Sequence, residues 1–186
     1  MFKYIRIVGP AVILAVAGMT LLGPRPAMAA SAAVIDREVD AALWKLYETT
    51  PVAKTLAAQA KGILVFPNIV KAGFVVGAQY GDGARLKNGK TVGYYNIVAA
   101  SYGLQAGVQS FGYAMFFMTD SALNYLENSS GFEVGVGPSI VVVDEGMART
   151  LTTTTAQDDV YAFVFGQQGL MAGAGLQGSK ITRINP

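Results

Sequence analysis

From Ser31 onward the chain follows two successive patterns of hydrophobic and polar positions. Residues 31–48 set Ile35, Val39, Ala42, Leu43, Leu46 and Tyr47 on one face, with Asp36, Arg37, Asp40, Lys45 and Glu48 largely on the other. That is the 3.6-residue period of an amphipathic helix. Thr50 followed by Pro51 suits an N-cap with proline at the first helical position, and Val52–Lys61 then reads as a second short helix stopped by Gly62. Beyond Gly62 the pattern changes to β-branched and aromatic runs broken by Gly, Asn and Asp. Strands are predicted near Ile63–Phe66, Gly73–Gln79, Ala84–Leu86, Thr91–Ala99, Gly103–Phe111, Tyr113–Met118, Phe132–Val136, Ser139–Asp144, Val160–Phe165, Leu170–Leu176 and Lys180–Ile184. Gly81-Asp82-Gly83 and Asn88-Gly89 read as hairpin turns, and Asp144-Glu145-Gly146 as a turn. Thr119-Asp120-Ser121 should cap one short helix running through Leu126. The expected fold class is α+β: N-terminal helices packed on a curved, largely antiparallel, barrel-like sheet with one inserted helix.

The first 29 residues follow a different logic. Lys3 and Arg6 precede a mostly apolar run from Ile7 to Leu22, and Ala27-Met28-Ala29 supplies a small-residue cleavage site. These are the charged, apolar and processing regions of a Sec-type signal peptide. The run is short for a bilayer span and is broken by Pro10. The expectation is a cleaved leader at 1–29, a single domain at 30–186, and a periplasmic or secreted protein able to associate peripherally with a membrane.

Composition narrows the chemistry. The chain of 186 residues has no Cys and no His, which removes disulfides, Cys/His zinc sites and the Ser-His-Asp triad. Three of its fourteen basic residues, Lys3, Arg6 and Arg25, lie in the leader. Eleven basic against twelve acidic residues remain, so a globally basic nucleic-acid surface is not expected. The acidic pairs Asp144-Glu145 and Asp158-Asp159 have the chemistry for acid/base work or for holding Ca²⁺, but both read as solvated loops. Gly173-Ala174-Gly175-Leu176-Gln177-Gly178 spells G-x-G-x-x-G, yet only eight residues follow it, too few for a dinucleotide-binding βαβ unit. No catalysis, cofactor or metal is expected.

Three segments resemble the SYLF domain family. The first runs Ala60-Lys61-Gly62-Ile63-Leu64-Val65-Phe66-Pro67-Asn68, then Val70-Lys71-Ala72-Gly73-Phe74-Val75-Val76-Gly77 and Tyr80-Gly81. The second is Ser101-Tyr102-Gly103-Leu104-Gln105-Ala106-Gly107-Val108-Gln109, and the third is Gly169-Leu170-Met171-Ala172-Gly173 with Leu176-Gln177-Gly178-Ser179. The resemblance implies a non-enzymatic binding domain. SYLF relatives bind anionic phospholipids, phosphoinositides in eukaryotes, and fungal members bind and bundle actin. Bacterial members usually stand alone behind a signal peptide, as here, where the chain has no SH3 or FYVE module.

A physical case for lipid stands beside that resemblance. Lys61 and Lys71 bracket the first strand, and Arg85, Lys87 and Lys90 crowd one hairpin. Were these five cations to converge, each would add about 1 kcal/mol of attraction to an anionic bilayer. Trp44 on the first helix adds a side chain suited to the headgroup boundary, although acids outnumber bases on that helix. The expected partner is an anionic phospholipid surface. The alternatives are an envelope protein-interaction or structural module, and a carrier of a small apolar ligand within the sheet.

Overall fold

The computed structural model describes residues 31–74, 76–102, 107–129, 131–133, 137–143, 145–152, 156–169 and 178–186. The expected leader at 1–29, the expected strand Leu170–Leu176, Asp144 and parts of the second and third SYLF-like segments fall outside them. Two helices open the described chain, α1 (Ala32–Thr49) and α2 (Pro51–Ala57). Four long strands follow, β1 (Gly62–Phe74), β2 (Val76–Lys87), β3 (Lys90–Tyr102) and β4 (Gly107–Phe117). Then come α3 (Asp120–Asn128), β5 (Phe132–Glu133), β6 (Ile140–Val143), α4 (Glu145–Thr150), β7 (Val160–Gly169) and β8 (Lys180–Ile184). The strands form one eight-stranded sheet in the order β5-β8-β3-β2-β1-β4-β7-β6, antiparallel except for the β6–β7 pair. The α+β architecture with an N-terminal helix packed on a curled, mostly antiparallel sheet agrees with the sequence reading.

Both faces of the central strands are covered, and alternation along each strand sorts the two cores. Tyr113, Met115 and Phe117 of β4 join Leu64 and Phe66 of β1 and Leu123 and Leu126 of α3. Ala114 and Phe116, pointing the other way, join Val65, Phe163 and the α1 residues Ile35, Val39, Leu43 and Leu46. Phe111–Phe117 is therefore buried without a break. Phe116 meets Phe163 edge-on at 5.2 Å, and Phe117 meets Phe132 at 6.2 Å. The inserted helix α3 thus covers part of one sheet face, together with the curling outer strands.

Three local expectations need correction. Gly81-Asp82-Gly83 is not a turn but the middle of β2, which joins Val76–Gln79 to Ala84–Leu86, while Gly73 and Phe74, predicted in the same strand as Gln79, instead end β1. Opposite it, β1 runs straight through Pro67 and Asn68 with a register shift between Val65 and Val70. Proline has no N–H for a ladder and sits where a bulge releases it. The bulge presses β1 against β2: a Cβ on Gly83 would lie 2.2 Å from the Val65 carbonyl oxygen. Glycine at this point makes room for a neighbouring backbone. Gly103–Phe111 and Tyr113–Met118 likewise merge, as far as the described residues go, into the single strand β4. Finally, Glu145-Gly146 opens the helix α4.

Other local signals match. Asn88 and Gly89 have φ of 53° and 73°, the paired positive values of a two-residue type I′ hairpin. The Thr119 hydroxyl accepts from the Ala122 N–H and caps α3. Thr119 also donates to Asp159 Oδ1 at 2.9 Å, while the Ser139 amide and hydroxyl donate to Asp159 Oδ2. These bonds favour the ionised carboxylate and hold it below its ordinary value of 3.8. Asp159 is therefore a fastener between α3, β6 and β7, and Asp158 accepts from the Tyr161 hydroxyl. That is the structural use of an acidic pair considered above for catalysis or Ca²⁺.

Two outcomes follow. Gly83→Ala should lower stability by about 1–3 kcal/mol through overpacking, measured as a lower urea midpoint with an unchanged denaturant slope. For Asp159 the folded value lies below the unfolded one, so its contribution is present above the carboxylate range and is lost as pH falls through it. Melting temperatures of the native chain and Asp159→Asn should differ at neutral pH and converge in acid; a gap constant with pH would contradict this assignment.

Candidate functional site

The hairpin at Asn88-Gly89 sets one end of the sheet. Lys87 closes β2, Lys90 opens β3, and the two are register partners across the turn. In the neighbouring strand Ile63 pairs with Leu86, which brings Lys61, just before β1, to the same end. All three lysines are exposed. α1 lies beside them and contributes Asp40, Leu43, Trp44 and Tyr47 to a cleft of about 450 Å³ whose floor includes Ile63 and Leu86 and whose rim includes Asn88 and Gly89. Trp44 is 64% exposed. Burial lifts the Tyr47 phenol above its ordinary value, so it is a neutral, amphipathic wall at any physiological pH.

α1 is fixed over this end by its own acid. Asp36 accepts from Thr91 at 2.8 Å and from the Tyr94 hydroxyl at 3.0 Å, both on β3. Part of the negative charge on α1 is thereby used in holding the helix to the sheet. Asp40 lines the cleft.

The five expected cations do not converge. Arg85 is buried and makes an ion pair with Glu127 of α3 at 2.7 Å. It occupies the opposite face of β2 from Ala84 and Leu86, which pack under α1. Lys71 is buried and engaged within the fold. It lies ten residues along β1 from Lys61, roughly 30 Å away at the usual strand rise. Sequence counting put Arg85 at the hairpin and Lys71 at an end of the first strand, and could assign neither strand face nor strand length. Lys61, Lys87, Lys90 and Trp44 are the members of the expected set that share one end.

Sequence reading also missed a buried polar row. Lys71 pairs in register with Gln79 on β2 and Gln109 on β4, all three buried, and Gln79 Nε2 donates to Ser179 Oγ at 2.8 Å. The signal was present as Lys71, Gln79 and Gln109 alternating with apolar neighbours. Among the described residues no group of acids has the arrangement of a metal site, and no helix is long and apolar enough to cross a membrane.

Removing Glu127 leaves the buried Arg85 guanidinium without its counter-charge, so Glu127→Ala should cost on the order of 1–3 kcal/mol. Adding Arg85→Met should recover most of that loss in chemical denaturation. If the double variant is no more stable than Glu127→Ala, the pair is not what Glu127 contributes.

A search of the curated proteins finds no match to the chain. Residues 98–185 match the family model Ysc84, described as Las17-binding protein actin regulator. The match begins inside β3 and ends just past β8, so Trp44, Lys61, Lys87 and Lys90 precede it. Residues 98–185 are therefore similar to the Ysc84, or SYLF-type, family.

Proposed function

We propose that the domain binds anionic phospholipid surfaces peripherally, through the lysine-bearing end of the sheet and without catalysis. The observation that carries this reading is the gathering of the exposed Lys61, Lys87 and Lys90 at the end of the sheet where α1 presents Trp44 outward beside a cleft. Ammonium groups attract the headgroups, each by about 1 kcal/mol near the surface. The indole suits the boundary between headgroup and acyl chain. The attraction extends over about one Debye length, 8–10 Å at moderate salt, and is screened as salt rises. The charged start, apolar run and Ala27-Met28-Ala29 site of the leader support export, which puts this encounter outside the cytoplasm, at an envelope membrane.

A second reading rests on the family description, Las17-binding protein actin regulator, which names a protein partner for that family. On that reading the domain is an envelope protein-interaction module. A defined envelope protein captured in proportion to dose, with no response to vesicles, would favour it.

Flotation of the chain from Ala30 onward with anionic and neutral vesicles tests the lipid reading. Replacing Lys87 and Lys90 together by Ala should lower partitioning onto anionic vesicles by about thirtyfold, with Trp44→Ala giving a smaller loss. Recovery on anionic vesicles that is indifferent both to salt and to the lysine pair would reject this end of the sheet as the contact.

A further inference from the structure

At the end of the sheet remote from the Asn88-Gly89 turn, the usual polarity of a sheet is reversed. Val98, Tyr80 and Val70 stand in register across β3, β2 and β1, on the same side of the sheet as α1. The next row is Ala100, Ala78, Ala72 and Val108. Every one of these side chains is exposed, Val108 to 61%. Among the described residues no helix covers them: α1 crosses nearer the middle, where Ala42 and Lys45 border a groove with Pro67 and Asn68. Behind this face lies the buried row of Gln79, Lys71 and Gln109. A sheet that meets water on one side puts apolar residues inside and polar ones outside. Apolar outside with polar inside is the arrangement of a sheet whose outer face meets lipid.

The borders of the patch have matching chemistry. Its inner row carries Tyr80, whose hydroxyl donates to Asp82 at 2.9 Å. Lys180 is the register partner of Val98, and Gln168 that of Ser110, which lies beside Val70. Tyrosine and lysine are side chains that reach from an apolar zone into the headgroup layer. From Val70 to the end of β1 at Phe74 the strand advances roughly 13 Å, close to one leaflet of a hydrocarbon core about 30 Å thick. Beyond that row, exposed Val76 opens β2 at the tip. The same spacings give the patch an area on the order of 400 Å². That is about half of what each partner contributes to a stable protein interface, so a second copy seated on it alone would be held weakly.

We infer that this apolar end of the β1–β4 sheet enters the acyl layer of a single leaflet, with Tyr80 and Lys180 at the headgroup level. It is a second membrane contact, separate from the lysine-bearing end and different in kind, since it requires neither anionic lipid nor low salt.

The test uses the chain from Ala30 onward and neutral phosphatidylcholine vesicles in high salt, where the lysine-bearing end contributes little. The native chain should float with the vesicles, and Val108→Asp or Ala78→Asp should each lower recovery by about tenfold. Lys87→Ala with Lys90→Ala should leave it unchanged. A Val108→Trp reporter in a Trp44→Phe chain should be quenched by lipids brominated on the acyl chain, a reading that does not depend on the aspartate variants folding. Absence of flotation on neutral vesicles, indifference to both aspartates, or an unquenched reporter would each overturn the inference. So would a native dimer that the aspartates dissociate without any vesicle response, which would make the face a protein interface. Loss of anionic binding in the lysine variant with neutral binding intact would separate the fate of the two sites.

Discussion

Burial of β1 and β4 on both faces is the constraint from which the remaining geometry follows. A strand whose residues from Phe111 to Phe117 are all buried needs cover on two sides. α1 and α2 supply it on one, α3 and the curling outer strands on the other. Because α1 lies across the strands, it divides its side of the sheet into two uncovered ends. One bears the hairpin lysines and the cleft beside Trp44. The other bears exposed valines, alanines and a tyrosine. The surfaces proposed for membrane contact are what two helices on a sheet of long strands leave uncovered.

The same layering decides the fate of each cation. Arg85 and Lys87 are two residues apart on β2 and share a strand face, yet Arg85 lies within the layer covered by α3 while Lys87 has passed beyond it at the hairpin. A guanidinium removed from water requires an opposite charge or a full set of acceptors, and Glu127 supplies the charge. Lys87 remains hydrated and available to an anionic partner. Proximity in sequence is therefore a poor guide to a charged surface in a sheet protein, because the edge of a covering helix intervenes between neighbours.

Local chemistry was the most legible part of the sequence. The α1 period, the Asn88-Gly89 turn and the Thr119 cap each depend on a few adjacent residues and emerge where expected. What was illegible depends on a partner strand. Gly81-Asp82-Gly83 carries the letters of a turn, but its glycines answer to a bulge in β1 twelve or more residues earlier. Likewise, period-two alternation tells which residues share a face and not which face is later covered. Lys71 was read as a surface cation on composition, whereas its register with Gln79 and Gln109 puts it in a buried polar row. The hairpin lysines could be grouped from sequence because a two-residue turn fixes their relation; adding Arg85 and Lys71 required knowledge of the sheet.

β2 runs from the apolar end to the lysine end, and its length separates the two surfaces by roughly 35 Å. Their forces have different ranges. Charge attraction acts across a Debye length of about 8–10 Å and orients the molecule before contact, whereas apolar burial begins only when water is expelled. A bilayer approached lysine end first therefore gains its attraction early, with the valine face directed away from it. A bilayer entered valine end first receives no comparable steering, because the slightly acidic body carries few exposed cations near that end besides Lys180. The two contacts cannot be deep in one flat leaflet together while the sheet stands upright. Simultaneous use requires either a tilted molecule or two apposed surfaces, and the separation imposed by four long strands makes that choice a geometric one.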